Sequence, residues 1–164
     1  MAETAKELFE HELRDIYDAE NKLVRATENM AKKVDDLELT RSFKEHSQVT
    51  KGQVRRLEKV FDLVGRKPRR ERCKGIDGLI EEFTSFVKEE DPSQEVIDVF
   101  ATSAASKVEH YEIAAYQGLI QLATQLGIEE AVTLFEETLA EETETAQKLE
   151  MAGKELGQKL KPGF

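Results

Sequence analysis

The sequence predicts an all-α protein, a four-helix bundle of two antiparallel hairpins with a long crossover between them, plus one short extra helix. Four long segments carry apolar residues at a helical period of about 3.6 residues. The breaks inside each pair of segments are only a few residues long, which makes each pair an antiparallel hairpin. Between the pairs lie about 27 residues, roughly 65–91, with a short helical pattern of their own, enough to cross the bundle.

The first segment runs over about 4–33, with Phe9, Leu13, Ile16, Leu23 and Met30 on one stripe. Val34-Asp-Asp-Leu37 breaks it, and Asp36 or Thr40 is placed to cap the next start. The second segment turns Phe43, Val54, Leu57, Phe61 and Val64 inward and ends at Gly65, a natural residue for the position after a helix. The short helix spans about 76–89 and carries Ile76, Leu79, Ile80, Phe83, Phe86 and Val87. Asp91-Pro-Ser-Gln94 reads as a helix start, with Asp91 as cap, proline in the first turn and a glutamine three residues after the cap. The third long helix is expected over 92–125, stopping near Gly127, and the fourth over about 129–156. Residues 157–164, ending Lys161-Pro-Gly-Phe164, read as a frayed tail.

The 164 residues read as one domain, long enough to bury a real core. The apolar runs are far too short for a membrane span, and no charged-then-apolar leader opens the chain. A single cysteine, Cys73, excludes an internal disulfide and a cysteine-based zinc site, and a reducing cytoplasm is the expected setting. The net charge of −10 argues against general nucleic-acid binding. One local exception is Gly65-Arg-Lys-Pro-Arg-Arg-Glu-Arg-Cys-Lys74, where the loop from Arg66 to Lys74 holds six bases and one acid. It reads as a solvated connector, with an anionic partner as the other possibility.

Four acids stand where apolar side chains belong. Glu20 continues the series Leu13, Ile16, Leu23, Thr27, and Glu142 continues Phe135, Leu139, Ala146, Leu149. Glu109 and Glu112 are three residues apart beside the seam of Ala104, Val108, Tyr111 and Ala115, so one helical turn presents both. A carboxylate turned into a bundle interior costs on the order of several kcal/mol unless something pairs with it. With the second hairpin turn centred near residue 127, Glu112 lies level with Glu142. With the first centred near 35 or 36, Glu20 lies level with about residue 51, where Thr50 and Gln53 are the nearest polar residues. Hard oxygen ligands in that number suit two ions of iron or manganese. Two alternatives remain open, an ion-pair network through Lys107, Arg55 or Arg56, and a polar layer that fixes helix register.

The histidines and tyrosines carry less. His46 lies about two turns, roughly 10 Å, from Gln53, which predicts a hydrogen-bonding role in the core rather than a place in one centre with Gln53. His110 turns away from the flanking acids, and His11 has no evident partner. Tyr17, Tyr111 and Tyr116 read as amphipathic core residues, with Tyr111 a candidate neighbour of a metal.

Four stretches together resemble the YciE/YciF-type ferritin-like family, distant relatives of rubrerythrin and bacterioferritin. They are Glu12-Leu-Arg-Asp-Ile-Tyr-Asp-Ala-Glu20, Gln53-Val-Arg-Arg-Leu-Glu-Lys-Val-Phe61, Val108-Glu-His-Tyr-Glu-Ile-Ala-Ala-Tyr116 and Glu137-Thr-Leu-Ala-Glu-Glu142. The resemblance covers nearly the whole chain, and its most specific element is the stretch 108–116. It implies a ferritin-like bundle, a non-haem di-iron site and a link to stress responses. Residue by residue, it implies Glu20 as the first-helix ligand, Glu109 and Glu112 as a third-helix pair and Glu142 as the fourth-helix acid. The wider pattern has Glu-x-x-His on helices two and four, whereas this chain reads Gln53-x-x-Arg56 and Glu142-x-x-Thr145.

The expected metal set is therefore Glu20, Gln53, Glu109, Glu112 and Glu142, surrounded by Thr50, Arg56, His46 and Tyr111, with Arg56 pairing a ligand carboxylate. It would hold two Fe or Mn ions and oxidise Fe(II) with O2 or H2O2. A structural or interaction bundle without catalysis is the alternative. Phe86 and Val99 on outer faces predict a homodimer.

Overall fold

The computed structural model describes residues 3–163. Within them the chain forms α1 (Ala5–Ala31), α2 (Leu37–Leu63), α3 (Lys74–Glu89), α4 (Gln94–Gln125) and α5 (Glu129–Gly157). The helices α1 and α2 form one antiparallel hairpin and α4 and α5 the other; α1 packs on α4 and α2 on α5. The crossover carries α3, which lies against α4 and meets α1 only over a short stretch. This is the helical bundle expected. The helix ends fall within about two residues of expectation, and the expected tail turns beyond Gly157, with Phe164 outside the described residues.

The caps show why the chain starts and stops where it does. Thr4 opens α1 with a reciprocal capping box: its hydroxyl accepts from the Glu7 amide at 3.2 Å, and the Glu7 carboxylate accepts from the Thr4 amide at 3.0 Å. Asp36, not Thr40, caps α2 by accepting from the Leu39 amide at 2.9 Å. Gly65 and Gly127 take φ of 67° and 70°, and the amides after them, Arg66 and Ile128, reach back to Phe61 and Ala123 carbonyls at 2.9 and 3.0 Å. That left-handed turn suits glycine because no Cβ clashes there.

The start of α4 corrects the expectation of a cap at Asp91. Ser93 is the cap residue and Asp91 takes the unusual φ of 44°. The Gln94 amide does not fold back on the cap; it donates instead to the Lys33 carbonyl at 2.7 Å and to Asp98 at 3.2 Å. Buried Asp98 also accepts from the Asp35 and Asp36 amides at 2.9 and 3.1 Å, which ties the first hairpin turn to α4.

The core falls into two apolar clusters. One holds Phe9, Leu13, Ile16, Leu57, Phe61 and Phe135, the other Leu39, Phe43, Ala101, Ala104 and Leu149. On α2, α4 and α5 the acids and the amide of interest lie between these clusters, and on α1 Glu20 lies between Ile16 and Leu23 of the first. The bundle therefore has one polar layer sandwiched by two dry ones. Phe86 is half-buried, its ring packed on Phe100 with centroids 4.1 Å apart.

Candidate metal centre

Glu20, Gln53, Glu112 and Glu142 are each 1% exposed or less, and Glu109 only 2%. The helix periods bring them together as the hairpin levels predicted. Ligand atoms of Glu20, Glu112 and Glu142 all lie within 4.8 Å of one another, and so do those of His46, Glu109 and Glu142. Glu142 is common to the two groups.

His46 corrects the reading from helical rise. Its Nε2 lies 3.1 Å from Glu109 Oε1 and 3.9 Å from Glu142 Oε2. Gln53 donates from Nε2 to the other oxygen of Glu142 and, at 3.0 Å, to Glu141. Two residues two turns apart thus meet on one carboxylate because each side chain leans along the helix axis towards it, a reach that backbone spacing omits. The His46 Nδ1 sits 3.4 Å from the Thr145 hydroxyl.

The surroundings also differ from expectation in particular ways. Arg56 pairs not with a buried ligand but with Glu141, through two bonds of 2.7 and 2.6 Å, and with Glu137 at 3.1 Å. Adjacent residues on α5 point about 100° apart, so Arg56 meets Glu141 on the flank while Glu142 faces inward. The Thr50 hydroxyl donates to the His46 carbonyl at 3.0 Å and so stays within its own helix. Tyr111 is away from the cluster, with its hydroxyl 3.2 Å from Cys73 Sγ and 3.4 Å from Asp15. The tyrosine at the cluster is Tyr116, fully buried, which donates to Glu20 Oε1 at 2.5 Å. Its signal in the sequence was its place four residues after Glu112, on the same helical face.

The expected ion-pair alternative fails on geometry. Among the described residues no lysine or arginine lies within 4 Å of the four buried carboxylates; Lys107 pairs with Glu82 at 2.7 Å on the surface. His46 is the one base they meet. Burial and the Glu142 charge push Glu20 up to about 8, and burial with the charge of Glu20 pushes Glu109 up to about 7. Glu112 and Glu142 are raised well above the usual range, first by burial and then by each other's neighbours, Glu20 and Glu109. Tyr116 is raised by the same burial and by Glu20. Among the described residues, Glu20 Oε2, Gln53 Oε1, Glu109 Oε2 and Glu142 Oε2 are buried oxygens without a hydrogen-bond donor. Such atoms cost on the order of 1–3 kcal/mol each when nothing satisfies them. Carboxylate oxygens, an amide oxygen and one imidazole are a donor set that fits Fe(II) or Mn(II).

The basic loop is less free than its charge suggests. Arg66 pairs with Glu10 at 3.0 Å, Arg70 with Asp18 at 2.8 Å and Arg72 with Asp77 at 2.6 Å. Its acid, Glu71, meets Arg14 at 3.0 Å and His11 at 3.4 Å, so His11 does have a partner. The loop is a strap held on α1 rather than an open anion site.

Fold and site define a class: a helical bundle with a buried carboxylate–histidine cluster in its middle layer. Residues 4–160 match the family described as a domain of unknown function, DUF892, and the chain belongs to that family. Protein YciF of Escherichia coli (strain K12) is 40% identical over 147 residues, covering 89% of this chain and 88% of that protein. The structure of the E. coli stress protein YciF superposes with a TM-score of 0.91 at 38% identity, covering 97% of this chain and 100% of that one. YcfI from Rhodopseudomonas palustris, described as a candidate structural protein, gives 0.88 at 36% identity over 90% and 94% of the two chains. A Xanthomonas campestris protein shares the fold at a TM-score of 0.75 and 19% identity, over 93% of each chain.

Proposed function

We propose that the middle layer is a non-haem di-metal site and that the protein serves stress protection by oxidising Fe(II) with O2 or H2O2. Stress protection is carried over from the likeness to the E. coli stress protein YciF. What carries the metal assignment is four buried carboxylates with no lysine or arginine partner among the described residues, arranged in two ligand groups that share Glu142. Their four charges match two divalent ions. His46, Glu109 and Glu142 would hold one ion, and Glu20, Glu112 and Glu142 the other, with Gln53 Oε1 as a further oxygen donor.

Paired iron supplies a one-electron couple at each ion, able to pass electrons from Fe(II) to the oxidant. The chain supplies the rest. Gln53 and Tyr116 each donate to a ligand carboxylate and fix its rotamer, as outer hydrogen bonds do in metal sites. The two apolar clusters bound the layer above and below.

A purely structural bundle is the second reading, favoured by the description of YcfI and by the hydrogen bonds that tie Gln53 and Tyr116 to the acids. Metal content separates the two. Protein purified without chelator is expected to carry about two iron or manganese ions per chain by plasma mass spectrometry, the number such carboxylate bundles hold. Fewer than about one, with no uptake of added Fe(II), would leave the structural reading standing.

A further inference from the structure

Helices α1 and α3 run side by side from a clamped end to an open one. At the clamped end Lys22 meets Asp77 at 2.5 Å, and buried Asp18 accepts from the Cys73 amide at 2.9 Å. Further along, Lys32 and Lys33 stand just past the end of α1, and Lys88 stands in the last turn of α3. Between them the two helices part around a cavity of about 510 Å³. Its walls include Leu23, Met30, Phe83, Val87, Ala105 and Val108, and His46 and Glu109 line it as well. The charged residues at its α1 and α3 ends are Lys32, Lys33 and Lys88, all exposed and none ion-paired among the described residues. The acidic residue lining the cavity is the buried Glu109.

A cavity of this size falls in the range of small-molecule sites, which are apolar with a few placed polar groups. Three unpaired lysines at one end of an apolar slot, in a chain of net charge −10, select by charge as well as by shape. We propose that this cavity binds a medium-chain aliphatic carboxylate, with its head group at Lys32, Lys33 and Lys88 and its tail along the apolar walls of Leu23, Met30, Phe83 and Val87. A neutral amphiphile lacks the charge for the mouth, and a dianion places excess charge against an apolar wall. The inference goes beyond the metal assignment and stands or falls without it, since the lysines and the apolar walls are not ligands.

The test is calorimetric titration of decanoate into the full chain, as purified and again after chelator treatment. Saturable one-to-one binding is expected in both preparations. Decanol should bind about tenfold or more weakly, and so should decanoate to K33E/K88E, each tenfold being 1.4 kcal/mol. Ala26→Trp, which fills the slot from the α1 wall, should abolish binding while its circular dichroism and thermal melt report an intact fold; if that variant fails to fold, the lysine reversal on the surface decides alone. Equal affinity for decanol and decanoate, or an unchanged affinity in K33E/K88E, would overturn the proposal. So would uptake seen only with decanoate-free phospholipid vesicles, which would make the mouth a membrane contact. Loss of decanoate binding as a dimer forms at high protein concentration would put a second copy in the cavity and overturn it too. Failure of metal uptake with decanoate binding intact would contradict only the metal assignment.

Discussion

Glu142 is the residue on which the two ligand groups overlap, so isosteric changes at different acids should differ in kind. Glu142→Gln is expected to lose both ions, whereas Glu20→Gln should lose one and keep the His46–Glu109 side; anaerobic Fe(II) titration with counted stoichiometry checks this. Equal loss in the two variants would mean that the ions bind as one inseparable unit. Both variants should melt higher than the native chain in the absence of metal at pH 8, because each removes a carboxyl that burial holds above its ordinary value and that meets no lysine or arginine. The same acids were legible in the sequence, since each occupies a slot in an apolar 3/4 series. His46 was legible as a neighbour of the set but not as a group in contact with Glu109, and Tyr116 was legible only as core. Rise per residue locates a Cα, and a side chain several bonds long decides what it touches. Tyr116 looked like ordinary core because its ring is core, packed on Phe135 with centroids 6.0 Å apart, and only its hydroxyl belongs to the site.

At the scale of elements, one buried acid, Asp18, joins the crossover to α1 at several points. Burial pushes Asp18 up, but hydrogen bonds from Lys22, the Cys73 amide and Arg70 outweigh it and hold the carboxyl below its ordinary value. Asp18→Ala would leave the Cys73 amide and two cations without that acceptor. The expected loss is about 2–4 kcal/mol, read as a thermal melt lowered by roughly 5–15 °C, with faster amide exchange at the start of α3. A melt unchanged within a degree or so would mean that α3 is held by its apolar face alone. The helices themselves were legible because period, glycine stops and caps agree at Asp36, Gly65 and Gly127. The start of α4 was not, because Gln94 and Asp98 are recruited by the α1–α2 turn some sixty residues earlier in the chain. The strap role of residues 66–74 was hidden for the same reason: its partners Glu10 and Asp18 belong to a distant segment.

For the molecule as a whole, the polar layer inverts the usual pH dependence of stability. Glu20 and Glu109 stand at about 8 and about 7 against an ordinary 4.5. In that window the native state holds protons that the unfolded chain has released, so stability is full below about 4.5 and falls as pH rises towards the folded values. The metal-free protein should therefore melt several degrees higher at pH 5 than at pH 8. Added Mn(II) should raise the melt at pH 8 far more than at pH 5, because the ions need the charged carboxylates. A melt that rises with pH without metal would mean that the acids are already neutralised by something in the fold. No helix among the described residues is long and apolar enough to cross a membrane.

The assignment of this layer to a pair of metal ions is tested most directly by anomalous diffraction at the iron edge from crystals soaked anaerobically in Fe(II). Two difference peaks are expected in the middle layer, one bounded by His46, Glu109 and Glu142 and the other by Glu20, Glu112 and Glu142. A layer without a peak at saturating Fe(II), or with density only at surface acids, would contradict it.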